Sequence, residues 1–190
     1  IDNYSWEEIK NNIYSKTSAD VESALNKEYL TPDDFMALIS PAGASYLEPM
    51  AALSRKYTQQ RFGKTIQFYV PLYLTNSCTN CCIYCGFNHN NKINRIILTE
   101  QQMLDEFKAI KELGNFEHTL LVTGEDPRNA GVDYLEKAVK LAHEHFASVS
   151  LEVQPLKMEE YKRLRESGLN TVYVYQETYN KDNYRHYHPK

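Results

Sequence analysis

Cysteine is scarce in this chain of 190 residues, and all four cysteines lie in one stretch, NSCTNCCIYCGF, at positions 76–87. Long apolar runs are missing too. No segment approaches the roughly 18 apolar residues of a membrane-spanning helix, and the opening, IDNYSWEEIKNN, does not have the features of a signal peptide. We therefore expect a globular protein of the cytoplasm that does not enter the membrane.

Neither sign of charge is in large excess, since 21 lysines and arginines stand against 25 aspartates and glutamates. This balance gives no electrostatic reason to expect nucleic acid or an anionic membrane as a partner. In the reducing cytoplasm, clustered cysteines are metal ligands more often than they are disulfides, and two disulfides within so short a stretch would be strained. The cysteine stretch is therefore predicted to bind a metal.

Residues 1–65 are predicted to form a helical segment with a structural, covering role. Thr31 offers an N-cap hydroxyl, Pro32 suits the first helical position, and two acids follow in the first turn. Apolar residues recur at helical spacing over residues 45–62, and Gly63 ends the run. No group in this segment suggests chemistry.

Strands and helices alternate from residue 66 onward. Strands are predicted at 66–75, 118–124, 148–153 and 171–175. Between them, one helix is predicted to start at Thr99, and two more are predicted to span 133–145 and 158–167. No hairpin signal separates the strands, so we expect parallel strands joined by right-handed crossovers. Four such units make half of a (β/α)8 barrel, which typically needs ~250 residues. The first half of a doubly wound sheet would show the same pattern.

The ends of the chain suggest a piece of a longer protein. It starts at Ile1 rather than at methionine, and it ends at Lys190 without a closing element. We therefore expect one partial domain over residues 66–190, whose fourth strand would be an uncovered sheet edge.

Three of the four cysteines have the spacing of an iron–sulfur loop. Cys78, Cys82 and Cys85 follow the pattern C-x3-C-x2-C, whereas Cys81 adjoins Cys82 and its side chain would diverge. Three thiolates leave one iron of a [4Fe–4S] cluster open, while a purely electron-carrying cluster usually takes four cysteines. Two alternatives stay open: a closed Cys3His zinc site completed by His89, and a ferredoxin-like electron carrier.

The wider pattern N-x-C-x-N-x-C-x-Y-C-G-F at residues 76–87 resembles the signature of the radical S-adenosylmethionine (radical SAM) enzymes. Together with VTGE at 122–125, EVQP at 152–155 and YQETY at 175–179, it is similar to the 2-iminoacetate synthases, the tyrosine lyases of thiazole and thiamine biosynthesis. The similarity runs through nearly all of residues 25–190. It implies the first half of a radical SAM (β/α)8 TIM barrel, preceded by the helical segment.

The resemblance implies a [4Fe–4S] cluster and SAM as cofactors and L-tyrosine as the substrate. In that family a 5′-deoxyadenosyl radical, released as 5′-deoxyadenosine, leads to cleavage of tyrosine into 2-iminoacetate (dehydroglycine) and 4-methylphenol. The implied partners are a one-electron reductant of the flavodoxin or ferredoxin type and a thiazole synthase that receives the imine. We expect the 190-residue chain alone not to turn over tyrosine, since half a barrel holds only part of the pocket.

The site residues that the resemblance implies fall into three groups. The cluster ligands are Cys78, Cys82 and Cys85. The residues expected to contact SAM are Tyr84 at the adenine, Gly124 and Glu125 at the methionine ammonium, and Glu152 at the ribose or methionine. The residues expected in the substrate and cofactor pocket are Gln176 and Glu177. For Glu152, an ordinary salt-bridged acid at a barrel rim is an equal alternative.

Two basic features are ambiguous. Arg95 could neutralise the charge of a cluster or of a substrate carboxylate. His186 and His188 are two residues apart, so they would not share a helix face and are not predicted to form a metal pair. A solvent-exposed or outer-layer position is the expectation for both.

A second lyase of the same class is the alternative function. It is the related tyrosine lyase that makes carbon monoxide and cyanide for [FeFe]-hydrogenase assembly. GEDP at 124–127 and YQETY suit either enzyme, whereas EVQP and the VTG before Glu125 favour the thiazole enzymes.

Overall fold

Residues 5–189 are described by a computed structural model, in which the chain divides between Ile66 and Gln67 into two units. The first unit contains α1 (Trp6–Ser15), α2 (Ser18–Leu25), α3 (Pro32–Leu38), a 3₁₀ helix at Pro41–Tyr46, and α4 (Leu47–Phe62). These elements are helical, as the sequence pattern predicts, while a covering role for this unit stays a prediction. Among the described residues, no helix is both long enough and apolar enough to cross a membrane.

The start of α3 is held by the predicted cap and by an ion pair. The Thr31 hydroxyl accepts a hydrogen bond from the Asp34 amide at 3.3 Å, and the Asp34 carboxylate accepts one from the Thr31 amide at 2.9 Å. The same carboxylate accepts a hydrogen bond from the Lys27 ammonium at 2.6 Å. The bond from Lys27, followed by those from Thr31, lowers the pKa of Asp34 to about 2.

The second unit is a parallel sheet covered by helices on one face. Its strands are β1 (Val70–Thr75), β2 (His118–Thr123), β3 (Ser148–Glu152) and β4 (Thr171–Tyr173), in the spatial order β1-β2-β3-β4. The helices are α5 (Glu100–Leu113), α6 (Val132–His145) and α7 (Met158–Glu166) between strands, and α8 (Lys181–Tyr187) after β4. The strand order never reverses, as in a (β/α)8 barrel, whereas a doubly wound sheet contains a reversal. The predicted fold, half of a barrel, is confirmed.

In the second unit, element boundaries follow the sequence signals to within one residue, except at two strand ends. Thr99 and Gln102 form the predicted capping box at the start of α5. β1 starts at Val70 rather than at residue 66, because the ladder with β2 starts there. β4 ends at Tyr173 rather than at residue 175, because Tyr173 pairs with Glu152, the last residue of β3.

The two faces of the sheet differ in chemistry, since side chains alternate along each strand. The helix-covered face is apolar, with buried Leu72, Leu74, Leu121, Val149 and Leu151 in one core with Phe107 and Leu135. The opposite face corresponds to a barrel interior. One ladder row on it crosses all four strands and consists of Tyr73, Val122, Glu152 and Tyr173. This row combines two half-exposed phenols with one carboxylate at the carboxyl end of the sheet.

Candidate functional site

The cysteine loop, residues 76–98, connects the carboxyl end of β1 to α5 and lies against the segment that follows β2. The Thr79 amide and hydroxyl both donate hydrogen bonds to the Glu125 carbonyl oxygen, at 2.9 and 3.0 Å. The Asn80 side-chain amide donates to Oε2 of Glu125 at 2.6 Å. The loop and the segment after β2 thus form one hydrogen-bonded assembly, and Asn80 sets the orientation of the Glu125 carboxylate.

Gly124 allows this close approach. A Cβ atom at this position would lie 2.3 Å from the carbonyl oxygen of Ser77 and 2.9 Å from the Cβ of Cys78. Beside it, the Ser77 hydroxyl donates to Oδ2 of Asp126 at 2.6 Å. The resemblance placed Gly124 at the methionine ammonium of SAM, whereas the group that lies against it in the structure is the cysteine loop. Direct contact between Gly124 and SAM stays a prediction.

Arg95 organises the same loop from within. Its guanidinium donates hydrogen bonds to the carbonyl oxygens of Asn76, Phe87 and Asn88 at 2.7–2.8 Å, and to that of Asn91 at 3.3 Å. These four bonds occupy the Nη1 and Nη2 groups with backbone oxygens. Arg95 therefore holds the loop closed around the cysteines, rather than presenting its charge to a substrate carboxylate.

The thiols of the loop influence one another. All four cysteines are free and partly buried. Burial raises the pKa of the Cys82 thiol, and negative charge on Cys85 and Cys78 raises it further, against a lowering contribution from a Tyr84 hydrogen bond. The predicted ligands Cys78, Cys82 and Cys85 are thus close enough to interact electrostatically. A bound metal would supply the positive charge that stabilises all three as thiolates.

The arrangement of ligands bears on the zinc alternative. Over residues 5–189, no three His, Cys, Asp or Glu side chains are placed to share one metal ion. The His89 ring instead contacts the carbonyl oxygen of Cys78, at 3.4 Å from Nδ1. A closed zinc site needs four ligands around one ion, whereas a cubane cluster places each thiolate on a different iron. Three cysteine thiols on one loop are soft donors of the kind that a cubane cluster uses.

Two cavities flank the cysteine loop. The smaller, of about 200 Å³, is lined by Asn80, Cys81, Cys82, Glu125, Tyr184 and His188. The larger, of about 570 Å³, is lined by Cys85, Gly86 and Phe87 of the loop and by Tyr73, Glu152 and Tyr173 of the inner sheet face. Glu125 and Glu152, both predicted at SAM, therefore line different cavities. Tyr184, which no sequence argument identified, lines both of them.

Tyr84 is the centre of a hydrogen-bonded triad. Its hydroxyl donates to Oε1 of Glu177 and lies 2.7 Å from Nε2 of His188. The same Nε2 is 3.2 Å from Oε2 of Glu177. Burial, then the Glu177 bond, raises the pKa of Tyr84 well above its usual range. Burial works to raise the pKa of Glu177, but the bonds from Tyr84 and His188 bring it below its ordinary value.

The structure separates residues that the sequence argument grouped together. Glu177 reaches the cysteine loop through Tyr84, whereas the Gln176 side chain is exposed and donates to the carbonyl oxygen of Thr178 at 3.1 Å. His188 was set aside because His186 and His188 cannot share a helix face. His188 is nevertheless a partner of Tyr84, and because 104 residues separate the two, no local sequence pattern indicates their contact.

Three comparisons relate the chain to known proteins. A family model for the radical SAM superfamily matches residues 72–190. The chain is 50% identical over 185 residues to the 2-iminoacetate synthase of Escherichia coli (strain K12), covering 97% of this chain and 49% of that protein.

Two solved structures of HydG, a maturase of the [FeFe]-hydrogenase, have a similar fold. One has a TM-score of 0.88 and 28% identity and covers 100% of this chain and 45% of that one. The other, from Carboxydothermus hydrogenoformans, has a TM-score of 0.80 and 29% identity over 97% of this chain and 42% of that one. The chain thus spans about half the length of the relatives it matches.

Proposed function

The chain belongs to the radical SAM superfamily, whose members use a [4Fe–4S] cluster and SAM, and we propose that it is part of a tyrosine lyase. The proposed reaction cleaves the Cα–Cβ bond of L-tyrosine into 2-iminoacetate and 4-methylphenol, and the imine supplies the thiazole of thiamine. One observation carries the proposal. Acids end or follow three consecutive strands at the edge where barrel active sites lie: Glu125 and Glu177 form hydrogen bonds with the cysteine loop, and Glu152 lines a cavity together with it.

Cys78, Cys82 and Cys85 are the proposed ligands of the cluster. They are soft thiol donors on one loop, and three of them leave one iron with an open position. When bound, the reduced cluster and SAM supply the 5′-deoxyadenosyl radical that abstracts hydrogen from tyrosine. The protein has to exclude water and to align the substrate with that radical.

The two flanking cavities suggest how the protein orients its ligands. Glu125, held by Asn80 in the smaller cavity, is an acceptor suited to the ammonium of the SAM methionine. Glu152 shares the larger cavity with Cys85, which suits a contact with the ribose or methionine of SAM. On the inner sheet face, Tyr73 packs edge-to-face on Phe87 at 5.7 Å between ring centroids. This aromatic wall suits a phenolic substrate.

The hydrogenase-linked tyrosine lyase remains the second candidate because the HydG fold covers the whole chain. The chain's 50% identity to a 2-iminoacetate synthase, against 28–29% to HydG, favours the thiazole enzyme. The two differ in their products. Carbon monoxide and cyanide would identify the hydrogenase lyase, whereas 2-iminoacetate and 4-methylphenol without them would identify the thiazole enzyme.

The proposal includes partners and a compartment. A flavodoxin- or ferredoxin-type protein would deliver the electron, and a thiazole synthase would receive the imine before it hydrolyses. A reducing compartment, the cytoplasm, suits the four free thiols. Because the described residues form a sheet of four strands, about half of a barrel, we propose that the 190-residue chain alone does not turn over tyrosine. Formation of 4-methylphenol by this chain, with SAM and a reductant, would contradict that statement.

The test is EPR spectroscopy of the anaerobically reconstituted and reduced protein, with and without SAM. The expected result is a [4Fe–4S]⁺ signal that shifts when SAM is added, because SAM occupies the open iron. A cluster signal that ignores SAM would support the electron carrier instead. One zinc per chain, with neither iron nor labile sulfide, would support the zinc site and overturn the proposal.

A further inference from the structure

The turn between two of the cysteines is held from outside the cysteine loop. The Cys85 amide donates to the Cys82 carbonyl oxygen at 3.2 Å, so residues 82–85 form a turn whose central residues are Ile83 and Tyr84. The Ile83 amide donates to the carbonyl oxygen of Tyr187 at 3.0 Å, at the carboxyl end of α8. Both central residues of the turn therefore contact the end of α8, Ile83 through its backbone and Tyr84 through its hydroxyl.

The contacts of His188 indicate how this attachment is oriented. Nδ1 lies 3.0 Å from the carbonyl oxygen of Tyr184, one helical turn earlier. Since a carbonyl oxygen only accepts hydrogen bonds, Nδ1 must carry a hydrogen in this arrangement. The ring is also stacked on Tyr184, with 4.2 Å between centroids. These two contacts fix the imidazole to α8 and aim Nε2 at both Tyr84 and Glu177.

We infer that His188 is a positioning residue: with Glu177 it holds the Tyr84 hydroxyl and thereby fixes the Cys82–Cys85 turn to the end of α8. Two of the three proposed cluster ligands begin and end this turn, so its geometry sets the distance between them. The chemical part of the inference, an effect on SAM, rests on the proposed function. The structural part, an effect on the turn, does not.

The chain offers a matched control for the test. His186 is the same residue type on the same helix, is exposed, and has a ring contact only with Tyr187 among the described rings. His188→Ala removes all contacts of the ring. His188→Gln keeps a side-chain amide that can reach the position of Nε2, so it should restore part of the effect.

The first readout is hydrogen exchange of the chain without cofactors. We expect the Ile83 amide to exchange about tenfold faster in His188→Ala, equivalent to about 1.4 kcal/mol, while His186→Ala matches the unmodified chain and His188→Gln lies between them. Unchanged protection of the β2 and β3 amides shows that the sheet remains folded. Equal Ile83 exchange in the two alanine variants would overturn the inference. If His188→Ala loses protection throughout, His188→Gln provides the test instead. Faster exchange of His188→Gln that is confined to the turn supports the inference, whereas exchange equal to that of the unmodified chain overturns it.

The second readout is EPR of the reconstituted protein titrated with SAM. We expect His188→Ala to need about tenfold more SAM for the spectral shift than His186→Ala. Loss of the cluster from His188→Ala alone, with the sheet still protected, supports the same inference, because the turn supplies two ligands. No SAM response in the unmodified protein would defeat the proposed function but leave the exchange result valid. A normal SAM response in His188→Ala would overturn the role toward SAM.

Discussion

Replacing Gly124 with alanine is expected to push the cysteine loop away from β2. The added Cβ would lie 2.3 Å from the Ser77 carbonyl oxygen and 2.9 Å from the Cys78 Cβ, and the nearer of these atoms belongs to the backbone. The φ angle of Gly124 is not positive, so the steric clash alone drives the effect. Overpacking of this kind costs about 1–3 kcal/mol, which corresponds to a fall in Tm of about 3–9 °C.

The matched control is Gly86→Ala, in the same loop. No atom lies within 4 Å of a Cβ placed at Gly86, and its φ angle is not positive, so this variant should be neutral or slightly stabilised. The assay compares Tm with iron and sulfide content after anaerobic reconstitution. Gly124→Ala should either have a lower Tm, or keep its Tm because the loop moves away, in which case its iron and sulfide content should fall. A Gly124→Ala protein that matches Gly86→Ala in both measurements would refute the close-packing argument.

Two further predictions concern the thiols and the first unit. Serine at any of the three proposed cluster ligands should lower the iron content after reconstitution, because a cubane then keeps only two thiolates. The control, Cys81→Ser, should keep the full iron content. Cluster loss from Cys81→Ser would show that the ligand set is wrong. For Asp34, the lowered pKa of about 2 means that its carboxylate stabilises α3 fully above the ordinary pKa near 3.8 and progressively less as pH falls toward 2. The helix content of the chain, followed by circular dichroism from pH 5 to pH 2, should therefore fall less steeply in Asp34→Asn than in the unmodified chain, and equal slopes would contradict the assignment.

The sequence predicted most of the second unit, because its signals are local. The capping box at Thr99 involves residues three apart, and the apolar periodicity of α5 reports on neighbouring turns of one helix. Where the prediction was wrong, at the ends of β1 and β4, the deciding factor was the length of a partner strand. The apolar pattern of one strand gives no information about the length of its partner strand.

The site was predicted in part for the same reason. Spacing identified the cysteines, and the resemblance pointed to the acids at the strand ends. The resemblance did not show that Glu125 and Glu152 line two different cavities beside the loop. Arg95 also has a different environment from the one its charge suggested, because its partners are backbone oxygens.

The amino-acid sequence by itself determined the helices, the order of strands and helices, and a loop whose thiols suit an open iron–sulfur cluster. Each of these depends on residues within a few positions of one another, or on one motif. Only the tertiary structure decided that Gly124 must be small and that His188 reaches Tyr84. Both facts arise because four parallel strands bring their carboxyl ends to one edge, where segments from distant parts of the chain compete for the same space and the same hydrogen bonds.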